Sequence, residues 1–132
     1  MTNETNLWRT TLKRNSSLEV RRSSIHGWGV FSTDDIPQYE ILEEAPFIVV
    51  PQGELDASPV CERYSYGYDD ANSIIGFGLA GLYNHKSKPN SAYEIDNVNG
   101  VIRHYTTKDI KAGDELTLDY GIENVNFYNL EG

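Results

Sequence analysis

Apolar positions along this chain fall in short runs, without the three-and-four spacing of an amphipathic helix. Leu18-Glu19-Val20 and Val30-Phe31 are brief β-prone patches on either side of Gly27-Trp28-Gly29, which predicts two short strands joined through a turn. Glu40–Val50 ends in Phe47-Ile48-Val49-Val50, predicting a buried strand bounded by Pro46 and Pro51. Gln52–Asn72 is polar, carries Pro59 and the tyrosines Tyr64, Tyr66 and Tyr68, and reads as an insertion with one short helix. Ser73–Tyr83 mixes Ile, Leu and Phe with Gly76, Gly78 and Gly81. Each glycine weakens a helix by roughly 1 kcal/mol relative to alanine, so a short helix or tight coil close to another backbone is predicted. Ala92–Asp96 and Val101–Thr106 flank Asn97-Val98-Asn99-Gly100, the strongest hairpin signal in the chain. Lys111-Ala112-Gly113-Asp114 is a turn before a strand at Glu115–Leu118. Met1–Ser17 is rich in Thr, Asn and charge and reads as a flexible arm, with Trp8 as its docking side chain. Many short strands with Gly and Pro turns predict a mainly β domain with little helix.

A chain of 132 residues has room for one domain and one modest core. Its apolar fraction of 39% and mean hydropathy of −0.52 are low for that size, while nine tyrosines favour strands and lined pockets. The net charge of −9 repels nucleic-acid phosphate and attracts basic partners, although many soluble domains are acidic for solubility alone. The single cysteine, Cys61, excludes an internal disulfide and a four-cysteine zinc site, and fits a reducing compartment. Met1–Arg14 has no apolar leader segment and no stretch approaches the ~20 apolar residues of a membrane span. An intracellular location in cytoplasm or nucleus, with no membrane contact, is the expectation.

Three segments carry the chemistry: Gly27-Trp28-Gly29-Val30-Phe31, Asn84-His85-Lys86-Ser87-Lys88-Pro89-Asn90, and Glu115-Leu116-Thr117-Leu118-Asp119-Tyr120-Gly121. Taken singly, each has a plain reading as a turn, a structural hydrogen bonder or a strand end. In order and spacing together they resemble the signature of the SET domain, a family that transfers methyl groups from S-adenosylmethionine to protein lysine. The resemblance covers roughly Leu18 to Gly121 and is thin over Gln52–Asn72. It implies a SET domain at 18–121 built of several small sheets with a C-terminal pseudoknot, a variable insert at about 52–72, and a tail at 122–132. General topology rules disfavour threading, so the knot comes from the resemblance alone. The cysteine-rich zinc flanks and zinc lid of many members are absent from the sequence, as in small stand-alone members, some viral or prokaryotic. Lys86 also departs from the family's usual serine.

The resemblance further implies roles. Tyr120 is the catalytic tyrosine and a cofactor neighbour. Gly27, Trp28, Gly29, Asn84 and His85 contact S-adenosylmethionine, with S-adenosylhomocysteine as product and no metal. Tyr64, Tyr66, Tyr68, Tyr93, Leu118, Phe127 and Tyr128 are candidate walls or lid of a lysine channel. Free lysine has a pKa of about 10.4, and an apolar, tyrosine-lined channel lowers it by desolvation, which frees the nucleophilic lone pair. Alignment then supplies roughly 7–11 kcal/mol in favourable cases. Tyr93 and Leu118 stand where the family controls the number of methyl groups, which leans toward mono- or dimethylation. The expected partner is a protein with an accessible lysine in a basic segment, such as a histone tail, with no direct nucleic-acid binding; a homodimer would cover exposed strand edges. Two alternatives stand beside this. One is a non-catalytic SET-like module that binds a basic peptide. The other is a metal-dependent hydrolase using His26, His85 and His104, which lack zinc-ligand spacing.

Overall fold

The computed structural model describes residues 11–119. Among the described residues nine strands form two sheets: β1 (Leu18–Arg22), β2 (Trp28–Ser32), β3 (Ile41–Pro51), β4 (Ser65–Gly67), β5 (Asn72–Gly76), β6 (Asn84–His85), β7 (Ser91–Asp96), β8 (Val101–Thr106) and β9 (Glu115–Leu118). Two short helices, α1 (Gln52–Asp56) and α2 (Pro59–Glu62), and a 3-10 turn at Ala80–Leu82 are the only helical elements among the described residues. The architecture is therefore mainly β, as the pattern predicts. No helix of the described residues is long and apolar enough to cross a membrane.

The first sheet runs β1-β2-β9-β6 and the second β4-β5-β3-β8-β7. The hairpin at 97–100 forms where Asn-Gly predicts it. Asp96 pairs with Val101, Gly100 takes a φ of +68°, and the Asp96 carboxylate accepts from the Val98 and Asn99 amides. Val30, Ile36, Leu42, Ala45, Ile74, Ile102, Ile110, Leu116 and Leu118 make one buried cluster between the sheets.

Strand β3 departs from expectation. Its apolar end, Phe47–Val50, is not the buried part: Ile48 and Val49 are each nearly half exposed, and the buried stretch is Leu42-Glu43-Glu44-Ala45. Pro46 lies inside the strand instead of bounding it, while Pro51 is its last residue. Pro46 marks the point where pairing passes from β8 to β5, a place where a missing donor is tolerated. The buried carboxylates persist because each is paired, Glu43 with Arg14 and Glu44 with Arg103. Glu44 also accepts from the Lys13 amide, and the Asn15 amide bonds to Leu42 O, so the expected arm is pinned to β3 from Lys13 onward.

Ser73–Tyr83 is also corrected. Ser73-Ile74-Ile75-Gly76 belongs to β5, because β-branched side chains suit a pleated surface better than a helix. The expected tightness is present. A Cβ on Gly76 would press on Ala80 and Ile102, and Gly78 takes a φ of +68° beside Glu43. The insert carries two helical turns and β4, more structure than the one helix predicted.

Candidate active site

The three sequence segments converge on β9. Strand β2 pairs antiparallel along one side of it, with Val30 opposite Leu116 and Phe31 opposite Glu115. Strand β6 pairs parallel along the other, with Asn84 opposite Thr117 and His85 opposite Leu118, and the Lys86 amide extends the ladder to Leu118 O. A segment from the start of the chain, one from its middle and one from near its end thus lie side by side.

Asn84 ties them together. Its side-chain Nδ2 donates to His26 O at 3.0 Å, Trp28 O at 3.3 Å and Glu115 Oε2 at 2.8 Å. All three partners are acceptors, which fixes the orientation of the amide. The resemblance implies a side-chain contact from Asn84 to the cofactor; the donor end of that side chain is instead committed to the protein. Glu115 completes the tie by accepting from Ser23 Oγ at 2.8 Å. A Cβ on Gly29 would overlap the Glu115 carboxylate and push it from the position in which it accepts from Ser23 and Asn84. Asn90 binds β9 from the other flank: Nδ2 donates to Glu115 O, and Oδ1 accepts the Thr117 amide, both at 2.9 Å. Neither Glu115 nor Asn90 was singled out as a site residue from sequence, though both sit in the motifs.

Beside this tie Gly27 and Trp28 are exposed, while Gly29 is buried. Gly27 adopts a φ of +51° with nothing near its Cβ direction, and Trp28 is half exposed with the Arg22 guanidinium 4.5 Å above its ring. Open backbone next to an aromatic face fits a nucleoside-bearing cofactor such as S-adenosylmethionine.

A narrow cleft of about 20 Å³ is lined by Arg63, Tyr64, Ser65, Tyr66, Ala80, Gly81, Tyr83 and Tyr93. Three of the tyrosines expected to wall a channel therefore meet, from β4, the turn before it and β7. Tyr66 and Tyr93 pack edge to face with centroids 4.8 Å apart. Tyr68 does not join them; it packs on Phe47 and donates to Asn97 Oδ1 at 2.7 Å. Leu118 is fully buried in the core and lies outside the cleft lining. Tyr83, just before Asn84, was missed. It is buried, stacked 4.3 Å from the His104 ring, and burial holds its hydroxyl well above the usual phenol range. A tyrosine abutting the Asn-His pair was the available signal. Tyr120, Phe127, Tyr128 and Trp8 lie outside the described residues. Among the described residues, no group of three or more His, Cys, Asp or Glu side chains is placed to hold a metal ion.

Comparison with known proteins agrees with this geometry. Residues 27–121 match the SET domain family. A Schizosaccharomyces pombe histone-lysine N-methyltransferase specific for H3 lysine-37 is 31% identical over 109 residues, covering 80% of this chain and 74% of its own length. A Saccharomyces cerevisiae histone-lysine N-methyltransferase specific for H3 lysine-4 is 34% identical over 84% of this chain, which spans only 11% of that much longer protein. A crystal structure from Plasmodium falciparum, described as a candidate histone methyltransferase, superimposes with a TM-score of 0.68 at 30% identity, over 81% of this chain and 95% of its own. The chain belongs to the SET-domain family of protein-lysine methyltransferases.

Proposed function

We propose that this chain transfers methyl groups to the side-chain amine of lysine in a basic protein segment of the histone-tail kind, in the nucleus or cytoplasm, through a catalytic unit spanning 18–121. The observation that carries this reading is the closure of all three motifs around β9, with a tyrosine cleft whose lining includes Tyr83, the residue before Asn84. S-adenosylmethionine, when bound, supplies a methyl group made electrophilic by a sulfonium.

Each residue's part follows from its setting. The exposed Gly27 and the face of Trp28 receive the cofactor, while Asn84 and Glu115 hold that turn against β9. The walls of Tyr64, Tyr66, Tyr83 and Tyr93 exclude water from the lysine amine, which lowers its pKa by desolvation and exposes its lone pair. Tyr120 follows the last residues of β9 and aligns the amine in the reading carried by family resemblance. The insert brings five carboxylates, Glu54, Asp56, Glu62, Asp69 and Asp70, against one cation, Arg63. That balance favours a basic peptide over nucleic acid. The yeast relatives act on different H3 lysines, so the family narrows the substrate to a class and leaves the position to be measured.

The test is incubation with labelled S-adenosylmethionine and a panel of basic proteins including histone H3, read by mass spectrometry of the modified residue. Methylated lysine, lost in Tyr120→Phe while cofactor affinity is nearly kept, is the expected result. Saturable binding of peptide and cofactor with no transfer would replace the enzyme by a binding module.

A further inference from the structure

Behind the tyrosine cleft lies a buried polar chain that the proposed reaction does not use. Glu43 Oε2 accepts from Arg14 Nη2 at 3.1 Å and from the Leu79 amide at 2.8 Å. Its other oxygen, Oε1, lies 4.0 Å from His104 Nδ1, and neither atom has a hydrogen-bond partner among the described residues. His104 is wholly buried on β8. Its ring is stacked on Tyr83, edge-on to Tyr66 and 6.3 Å from Tyr93, and Nε2 lies 3.0 Å from the Tyr66 hydroxyl. That hydroxyl also lies 2.5 Å from Ala80 O.

These contacts fix where the protons sit. A carbonyl only accepts, so the one phenolic proton of Tyr66 goes to Ala80 O. The 3.0 Å contact to His104 is then a hydrogen bond only if Nε2 carries the ring proton and donates. Nδ1 is left as a bare acceptor facing Glu43. Burial agrees with a neutral ring, pulling the His104 pKa down to about 3, and it pushes the Glu43 carboxyl up, so Nδ1 faces a group that takes up a proton more readily than usual.

We propose that His104 is a positioning residue for the cleft: by donating Nε2–H to Tyr66, opposite the Ala80 carbonyl, it holds the Tyr66 hydroxyl as an acceptor. The inference rests on the reading of the cleft as the lysine channel. Its consequence is chemical. The nucleophile is the lone pair of the neutral amine, and a phenol free to rotate would donate into that lone pair and tie it up. A phenol whose proton is committed elsewhere offers only acceptance, so it binds an amine N–H and leaves the lone pair free.

Two measurements on the whole chain test this. Nitrogen-15 NMR of the imidazole in the wild-type protein at neutral pH should show a neutral ring protonated at Nε2; protonation at Nδ1 overturns the proposal whatever the enzyme does. Kinetics then compare His104→Leu with His104→Gln, whose amide nitrogen replaces the Nε2 donor. His104→Leu should lower kcat up to about tenfold, the value of one oriented hydrogen bond, with both KM values within about twofold, and His104→Gln should recover most of the loss. A folded His104→Leu with wild-type kcat, or a His104→Gln no better than leucine, refutes the positioning role. If the wild type transfers no methyl group at all, the reading of the cleft fails, and the NMR result still decides the hydrogen bond.

Discussion

Asn84→Ala is the most informative single change, because one side chain joins the three motifs. Truncation of the buried Asn84 side chain removes the donor to His26 O, Trp28 O and Glu115 Oε2. A neutral hydrogen bond contributes about 1 kcal/mol net and one to a charged group roughly 1.5–3. Three bonds sharing one amide are not additive, so the expected loss of stability is roughly 2–4 kcal/mol. That is a large part of the roughly 5–15 kcal/mol that holds a domain together. The turn at Gly27–Gly29 should loosen with it, weakening S-adenosylhomocysteine by at least tenfold, or about 1.4 kcal/mol. Urea unfolding gives the stability term. Calorimetry at a temperature where the variant stays folded gives the affinity. Asn84→Asp sharpens the test: it keeps the shape but sets a second carboxylate against Glu115, and should fall below alanine on both measures. An unchanged urea midpoint together with unchanged affinity in Asn84→Ala would refute the account of Asn84 as the tie.

Three further outcomes follow from other contacts. Tyr93→Phe removes one hydroxyl from the cleft lining and should shift product toward higher methylation with the first transfer largely kept; an unchanged ratio of mono-, di- and trimethylated peptide places that hydroxyl away from the amine. Arg103 bonds Glu44, Glu94 and Asp96 at 2.6–2.9 Å, so Arg103→Met should cost roughly 2–4 kcal/mol in urea unfolding, mostly through the loss of the countercharge beside the buried Glu44 carboxylate; a loss within about 0.5 kcal/mol would show that this network adds little. His104, with a folded pKa of about 3 against about 6.5 unfolded, favours folding fully above pH 6.5 and loses that contribution as pH falls toward 3, by up to about 1.4 kcal/mol per unit. The stability difference between wild type and His104→Gln should therefore change between pH 7 and pH 5, and parallel stability profiles would count against a neutral buried ring.

Local pattern made the hairpin, the short strands and the β-rich class legible, because each depends on neighbours in sequence. What it missed depends on partners far along the chain. Glu43 and Glu44 look like surface residues until Arg14 and Arg103 are seen to meet them, and Ile48-Val49 looks like core until the sheet is seen to leave it uncovered. Ser73–Tyr83 reads as a short helix or tight coil, yet pairing with β3 and β4 makes its first part, Ser73–Gly76, a strand. The structure brings Gly29, Asn84 and the β9 segment together in one place and lines a cleft with Tyr64, Tyr66 and Tyr93, three of the candidate channel walls, in another. Sequence alone could not separate Tyr68 from them, since alternation in a short β segment says which faces differ and not which face meets the cleft. Nor could it foresee that Asn84 spends its amide on the protein.

The strand order β1-β2-β9-β6 carries a consequence for how the chain comes into being. The second sheet needs nothing beyond Thr106, so on a growing polypeptide it can assemble while the rest is still being made. The first sheet cannot be completed: β1 and β2 can pair early, but the far edge of β2 and both edges of β6 wait until Glu115–Leu118 arrives to fill the gap between them. The pairs it closes lie about 85 residues apart, and such long-range contacts form more slowly than local ones. A premature stop before β9 would yield a protein with one finished sheet and one set of open edges, poised to stick to its neighbours before it ever held a cofactor.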